Sequence, residues 1–389
     1  MKICILFFIY IGLAVRVSAQ DAAPIYRQLA SRLSAFESSS DGSAIEALIG
    51  PRMPTQIMLA DAKSAELRHA DIFRALHRAA TSTFYTLPPL KRGEPFFGGD
   101  PNYAVLRAAV RLITGYSVLL VSDGNPIQAI NEQSLGFLIA KQAMLGKSDL
   151  SYLVSVAIYD LTLTGMGKLL QIVGHYWEIV SAIERSLLAF PPPNLIEELN
   201  KSRRYDLQLI AWLDSESKKH GFKALLSNFK QNGNNPPSIT SKLEWNKYVQ
   251  ANLKFLNKYY KEALVIAGKP YPESYLDMKA LDASIQNGVF GKPALLMFAS
   301  GLAEMIKNEQ IILVRTQVYR IAASIMAFRA LHGSFPATLE QAMAGMPASV
   351  FSMQNIKYSH IGEGFQLSGS VQRYPGSLLI RYSYPEPKN

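Results

Sequence analysis

Apolar residues recur at the 3.6-residue spacing of a helix through almost the whole chain and change to strict alternation only after Gly333. That switch confines the chain to packed helices with a short terminal sheet. Ile25, Leu29, Leu33 and Phe36 stripe a helix over Ala23 to Phe36, and Glu37 to Gly42, rich in Ser, Asp and Gly, reads as a loop. A short helix around Ile45 to Ile49 stops at Gly50-Pro51, and another covers Ala60 to Ser82. Leu106, Val110, Ile113 and Ser117 stripe a helix over Asn102 to Val121. The turn Ser122-Asp123-Gly124-Asn125-Pro126 then sets Pro at the start of a helix running to Leu145, which Gly146-Lys147-Ser148-Asp149 breaks. A long apolar helix follows to Phe190, or two with a break near Gly165-Met166-Gly167, and Pro191-Pro192-Pro193 ends it.

The second half is more polar. Asn194 to Phe229 forms one or two amphipathic helices, and Gln231 to Ser238 is a linker. Ser241-Lys242-Leu243-Glu244 fits a capping box that opens a helix to Ala267, stopped by Gly268-Lys269-Pro270. The last helix starts after Pro293, carries Ile312, Val318, Ile321, Ile325 and Phe328, and ends at His332-Gly333. Ile356 to His360 and Gly364 to Ser368 alternate around a Gly362-Glu363-Gly364 turn, and Ser377 to Tyr384 adds a third strand after Pro375-Gly376. The expected fold is therefore mainly α: an irregular helical bundle or helical-hairpin array with a small C-terminal α+β module, a long helix plus a three-stranded antiparallel sheet. The division that follows is 1–19 signal peptide, 20–86 N-terminal helical segment, 87–101 linker, 102–292 helical domain and 293–389 long helix plus sheet.

The N-terminus reads as a secretory signal. Lys2 precedes an apolar run from Ile3 to Val15, and Val17-Ser18-Ala19 offers small residues for cleavage, so the mature chain starts near Gln20. Arg16, between the run and the site, leaves an uncleaved anchor as the alternative. The one cysteine, Cys4, lies inside the run, so the mature chain has no disulfide and no thiolate metal site. After the signal no membrane span is expected: the richest stretch, Leu150 to Ala189, is interrupted by Asp160, Lys168, His175, Glu178, Glu184 and Arg185. Removal of Lys2 and Arg16 with the signal takes the net charge from +10 to +8, which suits an anionic membrane surface, acidic wall polymers or an acidic protein of the envelope. The lysines at 242, 247, 254, 258 and 261 spread around their helix, which speaks against a nucleic-acid face.

The stretch Ala327-Phe328-Arg329-Ala330-Leu331-His332-Gly333-Ser334-Phe335-Pro336-Ala337-Thr338-Leu339-Glu340 resembles the helix-to-loop passage of the type II secretion major pseudopilin, where a G-x-[YF]-P-x-x-L element precedes a small sheet. The same element is similar to the C-terminus of a group of exported bacterial helical proteins of undefined role, whose helical segments resemble Leu106 to Leu170. The first resemblance covers at most Leu313 to Tyr384 and implies a pseudopilin-head-like module. The chain departs from it in two ways. Its N-terminus lacks the pilin-type cleavage site with a Glu inside the apolar helix. Phe351-Ser352-Met353-Gln354-Asn355 lacks the acidic calcium ligands, and Glu363 alone does not supply the six or so oxygens calcium wants.

Reactive chemistry is sparse. His69 and His77, with Asp71 nearby, are spaced to share a helix face, and His175 with Glu178 to meet on another; ordinary surface and core histidines explain both. Ser215 to Lys218 and Ser227 to Lys230 match S-x-x-K, but no K-T-G companion exists. Gly146-Lys147-Ser148 has the ending of a phosphate loop with Lys141 where its first glycine belongs, and no G-x-S-x-G turn occurs. Tyr176-Trp177 and Lys258-Tyr259-Tyr260-Lys261 suit sugar stacking or helix packing. No catalytic, cofactor-binding or metal residue is nominated, and no cofactor is expected. The expectation is a non-enzymatic interaction or scaffold protein of the periplasm or cell envelope. A wall-directed hydrolase with unidentified residues and an accessory to a secretion filament are the alternatives.

Overall fold

The computed structural model describes residues 18–50, 52–87, 101–146, 149–174, 176–231, 239–286, 301–343, 356–372 and 377–385. The apolar run at 3–15, most of the 87–101 linker, the linker at 232–238, Lys147, Ser148, His175, Pro293, Phe351 to Asn355 and the Pro375-Gly376 turn lie outside them. Among the described residues the protein is mainly helical, with fourteen helices and a small C-terminal three-stranded antiparallel sheet.

A short strand β1 (Ser18–Asp21) pairs in parallel with β2 (Ser82–Phe84). The Asp21 carboxylate accepts from the backbone N–H of Ala23 (3.0 Å) and of Thr86 (2.9 Å), so it caps α1 (Ala22–Glu37) and ties it to the segment after β2. The expected loop at 37–42 is instead the start of a helix, α2 (Ser40–Ala47): Ser39 caps it by accepting from Gly42 N–H at 3.1 Å. Serines read as loop-formers are here helix starters. The single helix expected over 60–82 is two, α3 (Gln56–Arg68) and α4 (Ala70–Ala80). His69 breaks it with ψ near 24°, held by Asp41 and an edge-on contact with Phe36.

The centre of the molecule is α5 (Tyr103–Ser122), α6 (Pro126–Ala143) and α7 (Asp149–Val173); a close approach that excludes a side chain occurs once between α5 and α2 and twice between α6 and α7. A Cβ on Gly115 would lie 2.5 Å from the Ile45 carbonyl oxygen, one on Gly136 would lie 2.2 Å from Thr162 Oγ1, and one on Gly165 would lie 2.2 Å from Gln133 Nε2. Gly165 and Gly167 are therefore contact points inside α7 and not the break expected there; the chain leaves the helix at Gly174, and α8 (Trp177–Ala189) begins after it. Buried Gln133 donates to Thr114 Oγ1 (3.2 Å) and the Thr162 carbonyl (3.0 Å), which fixes the register of all three helices.

Two helices follow where one or two were expected, α9 (Leu195–His220) and α10 (Phe222–Gln231), separated by Gly221 at φ 77°. The Ser241/Glu244 capping box opens α11 (Lys242–Ala267), whose five lysines are all exposed. An unexpected helix, α12 (Glu273–Gln286), precedes α13 (Leu302–His332). By length and composition alone α5, α7 and α13 are long and apolar enough to cross a membrane, with mean hydropathies of 1.6, 1.3 and 1.4. In this fold neighbouring helices bury 72%, 72% and 61% of those stretches. The charges that interrupt α7 are met internally: Asp160 pairs with Arg315, and Lys168 Nζ donates to the Arg52 carbonyl at 2.7 Å.

Gly333, in the left-handed region at φ 75°, closes α13. A four-residue helix, α14 (Leu339–Ala342), precedes β3 (Ile356–Ile361), β4 (Gly364–Gln372) and β5 (Ser377–Tyr384), ordered β3-β4-β5. Alternation holds: Phe365, Leu367, Val371, Ile380 and Tyr382 face inward onto α13. Phe335 packs against Phe365 (5.3 Å between centroids) and Tyr384 (6.1 Å), Arg329 lies over its ring, and Tyr358 Oη donates to the Pro336 carbonyl at 2.7 Å.

The close approach at Gly115 makes a prediction with a sign. At an open helix position Gly→Ala stabilises by roughly 1 kcal/mol. Here Gly115→Ala should instead destabilise by about 1–2 kcal/mol in denaturant titration, because a backbone carbonyl blocks the new methyl. A stabilised variant would show that α5 does not approach Ile45 so closely.

Candidate functional site

The densest polar cluster lies where the first turns of α9 meet α7 and α13. The buried stripe of α9 reads Leu195, Glu198, Leu199, Ser202, Leu209, Ile210 and Leu213, so a carboxylate and a hydroxyl occupy positions that the helical period assigns to the core. Asp206, one turn after Ser202, continues the same side. Glu198 is only 1% exposed.

The contacts are specific. The Ser202 hydroxyl lies 3.1 Å from Asp149 Oδ1, in the first turn of α7, and 3.3 Å from Glu198 Oε1. One hydroxyl proton is therefore set between two carboxyl groups. Lys201 Nζ reaches the Met144 carbonyl (2.5 Å), Ser151 Oγ (3.3 Å) and Glu198 Oε2 (2.5 Å). Tyr260 of α11 donates to Asp206 Oδ2 at 2.6 Å. Glu309 of α13 accepts from Leu195 N–H at 2.7 Å, satisfying a free donor at the start of α9. Asp282 of α12 accepts from Ala303 N–H at 3.2 Å. The hydroxyl of Tyr152, whose side chain is fully buried, has no hydrogen-bond partner among the described residues.

Burial governs the charge state. Desolvation pushes Glu198 up to about 7, against the pull of the Lys201 ammonium beside it. Asp206 is pushed up to about 6 by burial and by the Asp149 charge, although the Tyr260 hydrogen bond favours its ionised form. Burial also raises Asp149, Glu309 and Asp282. Asp149 and Asp206 are intermediate in exposure as residues, whereas Glu198 is buried. Five carboxyl groups from four helices are thus all displaced in the same direction.

The residues singled out from sequence do not converge. His69 Nε2 is 3.0 Å from Asp41, His77 Nδ1 is 2.8 Å from Glu132, and Asp71 pairs with Arg32. Among the described residues no group of three or more His, Cys, Asp or Glu is arranged to hold a metal ion. Lys218 is solvent-exposed and bound to Asp214 Oδ2 at 2.6 Å, unlike the desolvated lysine that a Ser–Lys nucleophile requires. Ser227 is exposed, and the Lys230 side chain is outside the described residues. Tyr259 and Tyr260 are buried, which removes them from sugar stacking; Tyr176 and Trp177 stand on the surface at 52% and 43% exposure. Glu178 is exposed. Sequence reasoning missed Asp149, Glu198, Ser202 and Asp206. Their signal was a carboxylate and a hydroxyl on the apolar stripe of an otherwise charged helix.

Comparison with known protein families, with curated proteins and with solved structures finds no match to this chain.

The raised carboxyls fix the sign of the pH dependence. Glu198 ionises near 4.5 in the unfolded chain and near 7 in the folded one, so between those values the folded state holds the extra proton. Its contribution is complete below pH 4.5 and is lost as pH rises through 7, a change on the order of 3 kcal/mol for this one group. Denaturant titrations should show stability falling from pH 5 to pH 8, and Glu198→Gln, which cannot ionise, should flatten the fall. Stability that rose across this window would contradict the assignment.

Proposed function

We propose that the protein is an exported, non-enzymatic scaffold of the cell envelope that holds a partner protein or an anionic envelope surface. The observation that carries this reading is the placement of tryptophan. Two of the three, Trp177 of α8 and Trp212 of α9, are 43% and 45% exposed, while Trp245 is buried. Exposed tryptophan is uncommon on a surface that meets only water and is the residue most enriched at binding hot spots.

Export is supported by the sequence: Lys2, the apolar run and Val17-Ser18-Ala19. Cleavage after Ala19 leaves Asp21 in place to cap α1 and hold Thr86. The net charge of +10 supports an anionic surface as one kind of partner. Against a wall-directed hydrolase stands the scatter of the reactive residues singled out from the sequence, since His69, His77 and Lys218 are each paired with a different carboxylate. The filament-accessory reading draws on the pseudopilin-like passage Ala327 to Glu340 and on the way Phe335 joins the loop to the sheet. It is the weaker of the two, because α13 already packs against α7, α8 and α12 and so offers no bare helix to a filament.

Trp177→Ser and Trp212→Ser test the proposal in co-sedimentation of the purified protein with a native envelope fraction. At least one should weaken binding tenfold or more, the size of a hot-spot loss, with the melting temperature unchanged. Equal binding by both variants, or turnover of wall fragments by protein that retains no partner, would overturn it.

A further inference from the structure

Helix α9 is held in two unlike ways. Along most of its length it packs on α11, reinforced by Tyr260–Asp206 and by Arg203 Nη2 to Asn257 Oδ1 at 3.2 Å. Its attachment to the rest of the molecule is narrow. Its first turns meet α7 and α13 through polar contacts: Leu195 N–H to Glu309, Ser202 to Asp149, and Lys201, paired with Glu198 of its own helix, to Ser151.

We infer that this seam is a pH-operated latch, closed in mildly acidic solution and released as the pH rises, that lets α9 open from α7 and α13. The groups facing the seam are Asp149 and Tyr152 from α7, Glu198, Lys201 and Asp206 from α9, Tyr259 and Tyr260 from α11, Asp282 from α12, and Glu309 from α13. Lys201 supplies the one cation among these nine groups, and its ammonium is already shared among three oxygens. With protons on the carboxyls, Ser202 and Lys201 satisfy what is present. Once Asp149, Glu198 and Asp206 all ionise, one ammonium faces three charges in a poorly hydrated seam, and the surplus is relieved only by separation or by water entry. The fully buried Tyr152 hydroxyl, without a hydrogen-bond partner among the described residues, sits near Glu198 and Glu309, so the closed seam has a donor in reserve. This device is independent of the scaffold reading and holds whatever the partner is.

Hydrogen exchange of the full chain, resolved by peptide and corrected for the intrinsic pH dependence of exchange, tests it. At pH 8 protection across residues 195–213 should lie at least tenfold below protection across α5 and α6, and it should rise tenfold or more on going to pH 5.5. Asp149→Asn and Asp206→Asn, each removing one of the three charges, should each shrink that rise; two variants guard against one that fails to fold. Protection of α9 equal to that of α5 and α6 at pH 8 would show that α9 opens only with the whole molecule and overturn the latch. So would α9 protection that is unchanged with pH, or a pH dependence that both variants leave intact.

Discussion

Burial of α13 along nearly its full length is the constraint on which the other elements depend. Its 31 residues meet α12 and α9 near the start and α7, α8, β4 and β5 beyond them. Ile312, Val314, Val318, Ile321, Ile325 and Met326 are all inside. A fully buried aliphatic side chain contributes about 1.5–3 kcal/mol relative to exposure, so one helix carries much of the apolar gain that offsets chain entropy. The sheet has no other place to hide Phe365, Leu367 and Tyr382. Gly369 of β4 lets it approach, since a Cβ there would meet Val314 Cγ1 at 2.6 Å.

Around that spine the molecule uses two kinds of contact. The α5–α6–α7 core is close-packed through small residues and the buried amides of Gln133 and Gln142. The seam at α9 is the reverse: carboxyl groups, one ammonium and shared hydroxyls. Cores of the first kind are insensitive to pH, and polar seams respond to it. The chain thus joins a close-packed half to one whose attachment depends on protonation.

Much of this architecture was legible in the residues. The stripe at Leu106, Val110 and Ile113, the Pro126 start, the Ser241/Glu244 cap and the Gly333 stop each carry their own physics, and the elements lie where those signals fall. The illegible parts depended on neighbours. Gly165 and Gly167 read as breakers because nothing local says that Gln133 and Tyr319 come close enough to need them small. His69 looks helical until Asp41 and Phe36 hold it elsewhere. Glu198 and Asp206 look like ordinary surface acids on a charged helix, and only the fold brings Asp149, Ser202 and Tyr260 to them. His69, His77 and Lys218 drew attention for their chemistry, yet each is paired with a single carboxylate, Asp41, Glu132 and Asp214.

The shared core of α13 and the terminal sheet is tested most directly by Gly369→Val, with unfolding followed at once by far-ultraviolet helical signal and by near-ultraviolet tyrosine signal. If helix and sheet are one cooperative unit, both transitions move to lower denaturant together and stay coincident. A tyrosine signal lost early while the helical transition stays where it was in the parent protein would show that the sheet is an appendage and that α13 is not the spine described above.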